Sequence, residues 1–251
     1  MKLRFAIPLA GIFALLLTAA AVAGDITTNI AAAVANPARP EAQRAADAHR
    51  HPAELLAFAG VKPGDKVSDF MMGGGYFARI LSGAVGPTGK VYAYQAAEFI
   101  GFNPDYAKWQ DEAAKFAPNI VPVRFSLGAQ AFPEPLDLIL TAQNYHDLHL
   151  GRATPEQIAA INTQMFAALK PGGVLLVIDH YAADGTGDTL SNTLHRIDIA
   201  MVKSELAAAG FVLEAQSDVL RNPADPRTAS VFDPSIRGKS DQFVLKFRKP
   251  L

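Results

Sequence analysis

Three consecutive glycines, set between a strand-like run and a helix-like run, constrain this chain more than any other feature. Lys66–Phe70 carries apolar Val67 and Phe70, with Met71 and Met72 next and Gly73-Gly74-Gly75 following. Tyr76, Phe77, Ile80 and Leu81 then recur at helical spacing, and Lys90–Tyr94 is a second strand-like run. Strand, glycine turn, helix, strand is one βαβ unit. Its parallel strands need a helical crossover, so helices must cover the sheet. The glycines have two readings. They let a ligand approach the backbone closely at the helix N-terminus, whose free N–H groups attract polar or anionic groups, or they allow a tight turn with close helix–strand packing.

The rest of the chain repeats the alternation. Gly60–Asp65 is a turn before the first strand. A helix is expected over Pro104–Phe116, with Tyr106, Trp109, Ala113 and Phe116 at three-and-four spacing and Trp109 in the core. The third strand is Ile120–Phe125. Leu136–Thr141 is a fourth, apolar throughout as in a strand covered on both faces. Thr154-Pro155-Glu156-Gln157 reads as a capping box with proline at the first helical position. The helix it starts carries Ile158, Ile161, Met165, Phe166 and Leu169 and stops at Lys170-Pro171-Gly172-Gly173. Val174–Ile178 is the fifth strand, and one helix is expected over Ser191–Ala209. Phe211–Glu214, Ser217–Leu220 and Gln242–Phe247 read as closing strands, with Asn222–Lys239 an ordered loop. Upstream, Pro52 splits the helical stretch Glu41–Phe58 in two, and His49-Arg50-His51 sits at the break, facing either a cleft or solvent. Asp25–Pro40 reads as a loose lead-in.

The 251 residues suffice for one sizeable α/β domain, and no repeat or linker marks a second. Net charge is −1, which gives no bulk attraction to nucleic acid. Without cysteine there are no disulfides, Cys-ligated metals or cysteine nucleophiles. At the N-terminus, Lys2 and Arg4 precede an apolar run, Phe5–Ala20, and Ala21-Val22-Ala23 is a small-residue cleavage motif. We expect a cleavable signal peptide over residues 1–23, cut between Ala23 and Gly24, and an exported protein, periplasmic in a Gram-negative source. An uncleaved anchor is the alternative, marginal in length for a span. No other stretch is long enough to span, so no membrane span is expected after signal removal.

Several motifs together carry a family resemblance. Val67-x-Asp69 leads into the glycines, and Leu136-Asp137-Leu138-Ile139 opens the fourth strand. Leu169-Lys170-Pro171-Gly172-Gly173-Val174-Leu175 precedes the fifth, and Ala209-Gly210-Phe211 follows the last long helix. Over roughly Ala53–Phe247 the chain resembles class I S-adenosylmethionine-dependent methyltransferases. The closing stretch from Arg221–Arg227 to Gly238–Phe243 resembles an exported subgroup. The resemblance implies an α/β, Rossmann-like, doubly wound, mostly parallel seven-stranded sheet with helices on both faces. It divides the chain into signal peptide 1–23, helical lead-in 24–52 and methyltransferase-like domain 53–251. It also implies S-adenosylmethionine as cofactor, with Asp69, Gly73, Gly74, Gly75, Tyr76, Gln95 and Glu98 as its contacts. Asp69, Gly73 and Gly75 match the family motif, but Met71 stands where its first glycine is expected. The family's ribose-binding acid falls at Tyr94 or Gln95, and Glu98 is the nearest carboxylate. Ser126–Gln130 has no acid where the family often has one near adenine.

By the strand order that the resemblance implies, Asn144–His149 after the fourth strand and Asp179-His180-Tyr181 after the fifth are neighbours. His146, His149 and His180 are then expected at one cleft. Three readings stay open. In the first, Asn144 and Tyr145 orient a small-molecule acceptor while His146 or His180 acts as general base. In the second, His146, His149 and His180, with Asp179, hold a divalent metal. In the third, these side chains only fix loops. Arg196 is expected to reach toward the cleft and Asp198 to pair with a basic group. The expected function is methyl transfer to a small molecule, with no nucleic-acid partner. The alternative is an exported protein of this fold that binds another ligand, or a divalent metal at His146/His149/His180.

Overall fold

The computed structural model describes residues 27–151 and 153–251. The expected signal peptide lies outside them. Among the described residues no helix is long and apolar enough to cross a membrane.

Seven strands form one sheet among these residues: β1 (Lys66–Phe70), β2 (Lys90–Ala96), β3 (Ile120–Phe125), β4 (Leu136–Ala142), β5 (Leu169–His180), β6 (Val212–Ser217) and β7 (Gln242–Arg248). Their order is β3-β2-β1-β4-β5-β7-β6. The first five are parallel, and β7 runs antiparallel between β5 and β6. The longer helices are α1 (Pro52–Ala59), α2 (Tyr76–Val85), α3 (Asp105–Phe116), α4 (Pro155–Ala168) and α5 (Ile199–Ala208). The Rossmann-like, mostly parallel sheet expected from the sequence is the one observed.

Alternation along the strands divides the core in two. Leu138 and Leu140 of β4, with Val174, Leu176 and Ile178 of β5, face the same cluster as α1 and α2. Ile139, Leu175 and Val177 face the other, with Ile158, Ile161 and Met165 of α4 and Val202 and Leu206 of α5. Apolar side chains on both faces explain why β4 and β5 read as unbroken apolar runs. From β1 the chain winds outward through β2 and β3, then returns to β4 on the other flank. The crevice above the C-terminal ends of β1 and β4 is therefore the topological switch point, where ligands of such sheets bind.

Some elements differ from expectation. The expected helix over Ser191–Ala209 is broken: one turn, Ser191–Leu194, precedes a left-handed His195 (φ 53°) and then α5. The break pays for itself in pairing. Ile197 N–H donates to His180 O, Ala182 N–H donates to Ile197 O, and Asp198 caps α5 through Ala200 N–H. Trp109 is 37% exposed, since α3 buries Gln110 and Ala113 instead. Of the two stretches expected before β7, the first is strand β6 (Val212–Ser217), the second leaves the sheet after Ser217, and a short helix, Ala97–Phe102, follows β2. The capping box at Thr154 and Gln157 forms as expected.

The lead-in is packed onto the sheet domain. Residues 27–34 are helical, and Ile30 and Ala33 are buried in the first cluster. Two short helices, Glu41–Ala45 and Asp47–Arg50, then cross the start of α2. Gln43 donates to Gly74 O (3.0 Å), and the Tyr76 hydroxyl donates to Asp47 (2.7 Å).

Candidate functional site

At the end of β1 the backbone turns left-handed three times: at Met71 (φ 56°), Gly73 (φ 53°) and Gly75 (φ 73°). The glycines divide into two roles. A Cβ on Gly75 would meet the Ala113 Cβ at 2.9 Å and Arg79 at 2.8 Å, so this glycine serves packing. A Cβ on Gly73 or Gly74 would meet nothing within 4 Å. Those two line a cavity of about 380 Å³, with Arg50 and Gln43 from the lead-in and Asp69 and Asn144 from the strand ends. Both readings of the glycine turn therefore hold, each for different glycines.

Met71 keeps the turn that a glycine would make. A left-handed non-glycine costs ~1–2 kcal/mol. Its side chain is 3% exposed and packed in the second cluster beside Phe70 and Tyr94, and burial of that kind contributes ~1.5–3 kcal/mol. Asn144 anchors the turn from above by donating to Met71 O (2.9 Å).

An acidic and a basic side chain face the cavity. Asp69 is 3% exposed, and its Oδ2 has no hydrogen-bond partner among the described residues. Burial pushes its carboxyl up to about 7, against the Ala78 N–H and the Arg50 charge. The Arg50 guanidinium lies over the Tyr76 ring at 4.1 Å and the Phe77 ring at 5.2 Å. No hydrogen bond to it is formed among the described residues, and burial lowers its pKa. Burying a charge without a direct partner is costly, and a ligand of matching polarity would relieve both groups.

The remaining expected cofactor contacts are dispersed. Gln95 is 1% exposed and its side-chain oxygen accepts from Gly73 N–H at 3.3 Å, behind the cavity wall. Glu98 accepts from Leu127 N–H and lines a separate cavity of about 140 Å³ with Phe99, Leu127 and Leu148. Tyr76 lines the larger cavity, with its hydroxyl on Asp47.

The three histidines expected at one cleft separate into two groups. His146 is buried, with Nδ1 2.7 Å from Asp179 Oδ1 and its backbone N–H donating to Asp179 Oδ2. Burial alone would lower the His146 pKa, but Asp179 raises it on balance. Burial alone would likewise raise Asp179, and the His146 charge with the His146 hydrogen bonds pulls it below the usual carboxylate range. The His180 ring lies 5.7 Å from that of His146, with Nδ1 on the Ser240 hydroxyl. Burial, aided by the His146 charge, takes its pKa to about 3, so it stays neutral and is a poor proton acceptor near pH 7. His149 stands apart, between Glu205 (3.3 Å) and Asp188 (3.4 Å). Tyr145 belongs to that second group: its hydroxyl donates to Glu205 and accepts from Asn162. The set His146, His149, His180 and Asp179 therefore does not converge on one metal.

What converges instead is His146, Asp147 and His195. Arg196, expected at the cleft, is fully buried in an ion pair with Asp225 (2.9 Å), and Asp198 is spent on capping α5 and holding Gly185 N–H. Arg50 was read with His49 and His51 as facing a cleft or solvent, and it lines the larger cavity; Asp147 and His195 were not singled out from the sequence. The one signal for His195 was an Asp three residues on, an N-cap inside an apparent helix.

No protein-family model matches the sequence, and no curated protein does. Solved structures do. A SAM-dependent methyltransferase from Aquifex aeolicus aligns at TM-score 0.55 and 22% identity, covering 78% of this chain and 88% of that one. The N-methyltransferase NodS from Bradyrhizobium japonicum aligns at 0.54 and 15%, covering 82% and 98%. A possible exported protein from Bordetella parapertussis aligns at 0.54 and 18%, covering 82% and 68%. At these identities the likeness is one of fold. The chain has the seven-stranded architecture seen in SAM-dependent methyltransferases.

Proposed function

We propose that this chain transfers a methyl group from S-adenosylmethionine to a small-molecule acceptor. One observation carries the reading: an unbonded Asp69 oxygen and an unbonded Arg50 guanidinium face one cavity, beside two glycines with open space at their Cβ positions. The amino-acid end of the cofactor carries an ammonium and a carboxylate, the complementary pair. Asp69 would hold the ammonium and Arg50 the carboxylate, with Gly73 and Gly74 admitting the close approach. Gln95 supplies an amide where a ribose-binding carboxylate is expected, which gives a weaker grip on that part. The cavity beside Glu98, with its apolar Phe99 and Leu127, suits a flat ring.

When bound, the cofactor supplies an electrophilic methyl group. The chain's contribution is to hold and orient, and positioning an acceptor in line accounts for most of such a rate gain. Asn144, fixed on Met71 O and lining the same cavity, is the residue placed to orient it.

Calorimetry of the protein with S-adenosylmethionine tests the reading. We expect saturable binding that weakens by ~10–100-fold in Arg50→Ala, as for a lost charge-assisted hydrogen bond. No heat at millimolar cofactor sinks it. Export is part of the proposal, resting on the basic, apolar and small-residue order of Met1–Ala23. N-terminal sequencing of protein recovered outside the cytoplasm is expected to start at Gly24, and an intact Met1 there argues for an anchor.

A further inference from the structure

We infer that His146, Asp147 and His195 form a site for a divalent transition metal, with Asp179 behind it as the residue that positions the ligating ring. This site is independent of the methyl-transfer reading. Three donor atoms meet around one point. His146 Nε2 lies 3.3 Å from His195 Nδ1 and 3.3 Å from Asp147 Oδ1, and the third edge, from His195 Nδ1 to Asp147 Oδ1, is 3.9 Å. A triangle with those edges has its centre about 2.0 Å from each corner. Zinc sits ~2.0–2.2 Å from imidazole nitrogen and carboxylate oxygen.

The surroundings fix these atoms. Asp179 lies 2.7 Å from His146 Nδ1 and also accepts the backbone N–H groups of His146 and His180. A proton held between Nδ1 and that carboxylate leaves the Nε2 lone pair turned toward His195 and Asp147. Carboxylate–histidine–metal is the arrangement that orients metal-bound imidazoles. His146 and Asp147 share one helical turn, His146–His149. His195 is held by its left-handed backbone at the break before α5, and its ring packs on Phe232 at 4.7 Å.

Donor type narrows the ion. Two imidazoles and one carboxylate suit zinc or a neighbouring first-row ion, whereas magnesium and calcium favour oxygen ligands. Three protein ligands leave a fourth position for water. Asp147 and His195 keep 19% and 27% of their side chains exposed, which gives an ion a way in from solvent. Asp147 also lines the cavity beside Glu98 and Leu148, so the open position adjoins that space.

The test uses Zn(II) and Co(II) alone, on full-length protein made without a histidine tag and stripped with chelator. One equivalent of Zn(II) is expected by calorimetry, and Co(II) is expected to give the intense visible bands of a four-coordinate site. His195→Asn keeps a residue that tolerates the left-handed backbone but removes the imidazole, and it is expected to lose affinity by ~100-fold or more. Asp179→Asn is expected to lose ~10–100-fold, as for other positioning carboxylates. His149→Gln is expected to bind as the parent does. The inference is overturned by sub-stoichiometric Zn(II) in the parent, by a Co(II) spectrum like the aqueous ion, or by His195→Asn titrating like the parent with its circular dichroism unchanged.

Discussion

Asp69 is the residue where strand, glycine turn and cavity meet, and its environment makes a pH prediction. The folded carboxyl keeps its proton up to about 7, whereas an ordinary aspartate ionises near 3.8. Between those values the folded state binds more protons than the unfolded one. Stability therefore falls as pH rises through that window, and the penalty is complete above it. Asp69→Asn removes the penalty. In denaturant titrations the variant should match the parent below the window, gain steadily through it and exceed the parent by roughly 2–4 kcal/mol at pH 8. A difference independent of pH would mean that the carboxyl is solvated. The same substitution should remove cofactor binding, because stability and ligand grip draw on one group in opposite directions. Asp69 and the glycines were legible because a turn of this kind needs their residue types. Met71 was legible only as a departure. That it adopts the left-handed backbone and buries its side chain follows from packing against Phe70 and Tyr94, which no local pattern reports.

At the scale of elements, local interactions were readable and distant ones were not. The capping box joins Thr154 and Gln157, three residues apart, and forms as expected. The break at His195 is dictated from across the sheet, where Ile197 pairs with Tyr181. Helical periodicity cannot see that pairing. The lead-in shows the same limit. Its first part, Asp25–Pro40, was read as loose, yet Arg39 there is held by Asp47 at 2.7 and 2.8 Å, and Asp47, which also takes the Tyr76 hydroxyl at 2.7 Å, locks the helical part that supplies one wall of the larger cavity. The Arg39 side chain is fully buried there. Asp47→Ala leaves that guanidinium without its carboxylate and should cost ~3–5 kcal/mol in chemical denaturation, with Asp47→Asn costing less. A loss below ~1 kcal/mol would mean that water replaces the carboxylate at Arg39.

For the molecule as a whole, the alternation of strands and helices followed from the apolar runs and the turns between them, because burial on both faces imposes those patterns over many residues, whereas the strand order came from the resemblance to methyltransferases. The candidate site was only partly legible. Its residues were expected from their places after strands, but where they point depends on particular distant partners: Gly73 for Gln95, Glu205 and Asn162 for Tyr145, Glu205 and Asp188 for His149. The wall built by the lead-in has one more consequence. The helices Glu41–Ala45 and Asp47–Arg50 bury none of their own residues and are held by a handful of polar contacts. Lifting them off the domain breaks the Asp47 contacts to Arg39 and Tyr76 together with the Gln43 hydrogen bond. A molecule beneath them escapes when those contacts let go together, so residence time is governed by the latch and affinity by the floor. The dissociation rate in Asp47→Ala, read beside its equilibrium constant, separates the two.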